Sequence, residues 1–169
     1  MRSIKFFGML IFFSMCFLVG QSQLDEKQDT KKVNLEKIIF HSSGSTTYCP
    51  KIDLMIDSDR NIKVTREFYL KRAQTEKHYS GYFKGHMEKK EYARLIELLE
   101  TCGLDSLKFP VKDCCGGVVS TLIIYYNGQR RYFRSMAPPS EMEKLIMFLN
   151  NVGVNTKLKK AKDINNFEE

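Results

Sequence analysis

The chain has 169 residues, with 27 lysines and arginines against 20 aspartates and glutamates, and 43% of its side chains are hydrophobic. That is one domain's worth of chain, long enough for a real core. The basic excess is too slight to indicate a nucleic-acid partner, because an ordinary solvated surface accounts for it.

The first residues, MRSIKFFGMLIFFSMCFLVGQSQ, combine a positive start at Arg2 and Lys5, an apolar run from Phe6 to Gly20, and a small-x-small site at Gly20-Gln21-Ser22. This is the pattern of a secretory signal peptide, cleaved after Ser22. The apolar run has about fifteen residues, short of the ~20 that a membrane-spanning helix needs. Two other readings stay open: a retained signal anchor, and a lipoprotein lipidated at Cys16. Against the second stand bulky Met15 before that cysteine and apolar Phe17-Leu18-Val19 after it. Removing residues 1–22 takes away two basic and no acidic side chains, leaving 25 against 20. The expected location is the periplasm or the cell exterior, with no transmembrane segment in the mature chain.

Residues 23–34 are polar and read as a mobile lead-in. A single domain is expected over 35–154, followed by a polar tail over 155–169. LEKIIFH (35–41) is an apolar run that predicts a strand, and SSGSTTYCP after it reads as a loop. KIDLMID (51–57) alternates Ile52, Leu54 and Ile56, a strand with one buried face. The turn SDRN leads to a partner strand over 62–69, with Ile62, Val64 and Phe68 as core positions. The alternation slips there and leaves the register open. Residues 75–84 predict another strand, with Gly81 as a bulge or close approach.

The period then changes. Tyr92, Leu95, Ile96 and Leu99 define one helical face within 87–102, and Gly103 is the stop. Cys102 falls on or beside that face. An irregular connection, LDSLKFPVKDCCGG, precedes VVSTLIIYY (118–126), the strongest strand signal in the chain. Asn127-Gly128 joins it to QRRYFR as a two-residue hairpin. That turn sets Tyr125 opposite Arg130, Ile123 opposite Tyr132 and Thr121 opposite Arg134 on one face. Leu122, Ile124, Tyr126 and Phe133 lie on the other, the core face. Pro138-Pro139 ends the section. Ser140 with Glu143 has capping-box spacing at the start of a second helix carrying Met142, Leu145, Ile146 and Leu149. The order predicts an α+β domain: an antiparallel sheet of about five to six strands with two amphipathic helices packed on one face.

These segments together resemble a family of small exported bacterial domains of unknown function. That family has a C-x-G-x-C-P loop, an alternating strand with a glycine-bearing turn, a G-[YF]-x-G segment, an amphipathic helix, an aspartate-containing loop, an apolar strand and a proline-started helix. The corresponding stretches here are Ser45-Thr46-Thr47-Tyr48-Cys49-Pro50, KIDLMIDSDRNIKV, Gly81-Tyr82-Phe83-Lys84-Gly85, KKEYARLIELLE, Lys112-Asp113, VVSTLIIYYNG and PPSEMEKLIMFL. The likeness covers roughly residues 35–152. The family's first loop cysteine falls at Ser45 and its glycine at Thr47, so Cys49 lacks its near neighbour. The resemblance implies no enzymatic activity.

Export places Cys49, Cys102, Cys114 and Cys115 in an oxidising compartment, where two disulfides are expected. Cys102–Cys114 would close a short connection. Cys49–Cys115 would then replace the partner missing at Ser45. The alternative pairing, Cys49–Cys114 with Cys102–Cys115, stays open. Zinc is disfavoured, because adjacent Cys114-Cys115 leaves no chelate gap. His41, His78 and His86 lie in no recognisable catalytic context, and Asp53, Asp57, Asp59 and Asp113 form no spaced pair. No catalytic residue, metal site or cofactor is therefore expected. The expected function is a non-enzymatic binding or structural module. Its contact surface is the face bearing Tyr125, Arg130, Tyr132 and Arg134, where aromatic and arginine side chains interleave. The sequence does not name the partner, and an envelope protein or a glycan is the class expected. The competing reading is an envelope hydrolase or thiol-dependent enzyme using Cys49 or the Asp113-Cys114-Cys115 loop.

Overall fold

Asn127 and Gly128 both take positive φ, 50° and 71°. A two-residue turn that matches the twist of its flanking strands needs that geometry at both positions. The turn locks β5 (Ser120–Tyr126) to β6 (Gln129–Ser135) in the register expected from sequence, Tyr125 opposite Arg130 and Thr121 opposite Arg134. A second tight connection joins β2 (Lys51–Asp57) to β3 (Asn61–Glu67). There Asp57 accepts from the backbone and side-chain amides of Asn61 at 2.9 and 3.0 Å. The computed structural model describes residues 32–44, 49–70, 74–108, 117–155, 157–163 and 167–168.

With β1 (Leu35–Ser42), β4 (Gly81–His86) and β7 (Lys159–Lys160), these strands form one antiparallel seven-stranded sheet in the order β6-β5-β1-β2-β3-β4-β7. The protein is thus an α+β domain with one more strand than the upper count expected from sequence. The additional strand is β7, a two-residue pairing with Phe83 and Lys84 inside the stretch read as a polar tail.

Among the described residues there are two helices, α1 (Lys89–Thr101) and α2 (Ser140–Gly153). Leu95 and Leu99 of α1, with Met142, Leu145, Leu149 and Val152 of α2, join one buried cluster with alternate strand residues such as Phe40, Leu54, Val64 and Leu122. Gly103 follows α1 at φ 61°, a left-handed conformation that glycine adopts without steric cost. Cys102 is buried in the same cluster.

Three expectations are corrected. Residues 75–84 do not form one strand: Thr75 makes an isolated bridge to Tyr69, a turn follows, and β4 begins only at Gly81. Ser140 does not cap α2. Pro139 is the N-cap, and the Ser140 hydroxyl donates instead to the Glu141 carboxylate at 3.2 Å. Phe68 lies beyond β3 and is only half-buried, while Arg66 takes the buried position. Arg66 Nε donates to the Tyr79 carbonyl at 2.9 Å, and its Nη1 donates to the carbonyls of Gly153 and Asn155 at 3.0 and 3.1 Å. Its guanidinium lies 3.9 Å from the centre of the Phe83 ring. Carbonyls at a helix C-terminus carry partial negative charge, which suits a cation.

Candidate functional site: the sheet face opposite the core cluster

Successive side chains of a strand point to opposite faces. The residues between the core positions therefore share the other face. The cross-strand register lines them up in rows. One row runs Arg134, Thr121, His41, Asp53, Thr65, Tyr82 over six strands. These six side chains, with Lys51, Tyr132 and Phe167 among others, line a groove of about 730 Å³. The next row contains Tyr132, Ile123, Ile39 and Met55, and the one after it Arg130, Tyr125, Lys37 and Asp57.

His41 and Asp53 are direct cross-strand partners, and Nδ1 lies 2.8 Å from the carboxylate. Nε2 lies 2.9 Å from the backbone carbonyl of Glu168. A carboxylate and a carbonyl thus flank the two ring nitrogens, and which nitrogen donates depends on the tautomer. The Phe167 ring stands edge-on to it at 6.4 Å.

Two rows away the Glu168 carboxylate is held by three side chains. The Tyr125 hydroxyl donates to it at 2.7 Å, Arg130 Nε at 3.0 Å, and Lys37 Nζ lies 3.5 Å away. The Tyr125 hydrogen bond first, then Arg130 and Lys37, hold its carboxyl below the usual carboxylate range. Arg130 also donates to the Tyr125 oxygen at 3.1 Å. The segment 167–168 thus bridges the first and third rows. Ile39 and Ile123 lie in the row between and are buried, although neither belongs to the core cluster with the helices.

The four side chains expected to form a contact surface do share this face. Tyr132 and Arg134 are exposed at the groove, while Tyr125 and Arg130 already hold Glu168. The sequence reading missed the His41–Asp53 pair and the docking of 167–168. Pairing His41 with Asp53 needs the β1–β2 register, and no local turn signal in the long loop between them reveals it.

Of the cysteines expected to form disulfides, Cys49 is exposed and Cys102 buried, and both are free thiols in this structure. Cys102 Sγ donates to the Glu141 carbonyl at 3.3 Å. Burial, then the Glu141 carboxylate, push its thiol up to about 11. Such a thiol stays protonated at neutral pH and is a poor nucleophile. Cys114, Cys115 and Asp113 lie outside the described residues, as do residues 45–48 of the front loop and the expected signal segment. Among the described residues no cluster of three or more His, Cys, Asp or Glu side chains is placed to hold a metal ion, and no helix is long and apolar enough to cross a membrane.

No family model matches the chain, and no curated protein matches it.

Proposed function

We propose that this protein is an exported binding module, periplasmic or secreted, whose ligand seats on the sheet face bearing Tyr125, Arg130, Tyr132 and Arg134. The helices pack on the other face. The carrying observation is the groove along the His41 row, lined by exposed Tyr82, Tyr132 and Arg134 on hydrogen-bonded strands. Such positions hold a ligand with little ordering cost. The charged, apolar start of the chain supports export, and an envelope protein or a glycan is the class of partner that export brings within reach.

The test is a photo-cross-linking residue placed at Tyr132, with Glu97 on α1 as control, in the native host. An adduct at position 132 and none at 97 is expected. Equal labelling at both positions, or none at 132, would remove the reading.

A second reading, a hydrolase, draws on the His41–Asp53 pair, which has the geometry of a base and its orienting carboxylate. A turnover assay on model esters and peptides decides it: loss of activity in His41→Ala would favour the enzyme.

Export also carries the proposal of two disulfides among Cys49, Cys102, Cys114 and Cys115. A bond closing the shorter loop is worth about 3 kcal/mol in the chain-entropy model. Thiol counting on unreduced mature protein should find no free cysteine. Four free thiols would refute the staple.

A further inference from the structure

We infer that the open sheet face recognises an extended peptide segment carrying an aromatic residue next to a carboxylate, and that Phe167-Glu168 is its resident intramolecular occupant. This rests on the reading of that face as the ligand surface and names the ligand's chemistry.

The chemistry is visible in what already sits there. The Glu168 carboxylate meets a hydroxyl, a guanidinium and an ammonium, from Tyr125, Arg130 and Lys37. The backbone carbonyl of the same residue meets the His41 ring, and the neighbouring Phe167 ring stands against that imidazole. The anchoring groups come from β1, β5 and β6 at the centre and one side of a hydrogen-bonded sheet, so the site is formed by the fold. One residue thus contributes a side-chain and a main-chain contact. That is how a peptide is read: main-chain bonds supply affinity, and a charged side chain in its own site supplies selectivity.

Charge and dimensions agree. Lys51 and Arg134 stand at the groove with no carboxylate ion partner among the described residues, while Asp53 is paired with His41. A row of six strands at about 4.8 Å spacing runs about 24 Å, room for roughly seven extended residues. Among the described residues the groove that Phe167 lines extends across the sheet to Thr65 and Tyr82.

The test uses the full chain in two forms, wild type and the Phe167→Ala/Glu168→Gln double variant. The probe is the capped peptide INNFEE, the sequence of residues 164–169. It should bind the double variant and shift the His41 and Tyr125 resonances. Wild type should bind at least about tenfold more weakly, because a resident segment that fills the site roughly nine-tenths of the time lowers apparent affinity by that fraction. Peptides with Ala for the Phe, or Gln for the Glu that follows it, should lose the binding. On wild type alone, saturating peptide should move the Phe167 ring resonances to those of a solvated phenylalanine, a readout that needs no variant. Equal affinity for both proteins, equal affinity of the altered peptides, or no binding overturns the inference. So does a wild-type dimer that dissociates in the double variant, because the segment would then belong on a second copy. Cross-linking at Tyr132 without peptide binding removes this inference and leaves the binding face; failure of both removes both.

Discussion

Arg66 is a buried cation that meets no carboxylate in the contacts described, and replacing it should cost the fold more than any surface change. Its three acceptors belong to two separate segments: Tyr79 before β4, and Gly153 with Asn155 at the end of α2. Arg66→Met keeps an apolar stem over Phe83 and removes every donor. The bond to Gly153 is buried, and an unpaired buried acceptor costs about 1–3 kcal/mol. The other two bonds are part-buried, so water can replace some of their value, leaving about 0.5–1 kcal/mol each. The Phe83 contact adds about 1 kcal/mol for a desolvated cation over a ring. Against this, the guanidinium no longer has to be held out of water. Burial works against the charge and lowers its pKa, and relief of that penalty returns roughly 1–2 kcal/mol. The net expectation is about 3 kcal/mol of lost stability, or roughly 6–12 °C in Tm for a chain of this size. Arg66→Lys should lose most of the same amount, because one ammonium cannot reproduce a planar fork aimed at carbonyls on two segments. Urea denaturation at neutral pH measures the loss, and hydrogen exchange should show the last turn of α2 opening first. Stability within about 0.5 kcal/mol of wild type, the range of an ordinary surface change, would refute the reasoning.

Gly153→Ala should destabilise by about 1–3 kcal/mol through overpacking, because an added Cβ would lie 2.7 Å from Ile52 Cγ2 in a buried position; thermal denaturation checks it. Ser140→Ala should change stability by less than about 0.5 kcal/mol, since its hydroxyl caps no backbone amide of α2; a loss near 1 kcal/mol, the usual value of an N-cap, would restore the capping box. Docking of 167–168 should depend on acid. The Glu168 carboxyl is held below its usual range by Tyr125, Arg130 and Lys37, so its contribution is present above the ordinary carboxylate value and disappears as pH falls through the lowered one. The Phe167 ring resonances should report that release, and Glu168→Gln should abolish the acid transition. In reduced native protein Cys102, with a thiol pushed to about 11, should resist iodoacetamide at neutral pH while exposed Cys49 is alkylated; equal rates by peptide mass spectrometry would contradict the burial argument.

Much of the fold was legible because its causes are local. The Asn127-Gly128 turn demands positive φ at two adjacent positions, so all the cross-strand pairs of the last hairpin follow from two residues. The i, i+3, i+4 spacing of Leu95, Ile96 and Leu99 around Tyr92 likewise assigns a buried helical face without reference to the rest of the chain. The face carrying Tyr125, Arg130, Tyr132 and Arg134 follows from the same turn, which is why half of the candidate site could be read in advance.

The tertiary structure decided the remainder. Arg66 sits at a core position of a strand, where alternation alone calls for an apolar side chain. What makes an arginine acceptable there is a set of carbonyls brought from residues 79, 153 and 155, and no local pattern encodes them. Ser140 and Glu143 have capping-box spacing, but spacing cannot tell which residue the chain uses as N-cap, and Pro139 takes that place. A two-residue strand such as β7 has no periodicity to detect. The His41–Asp53 pair spans a loop whose length does not set a register, and Glu168 reaches Lys37, Tyr125 and Arg130 from the far end of the chain. Local turn and helix chemistry is written in neighbouring residues, whereas a charge that must find its partners across the fold is placed only once the sheet has assembled.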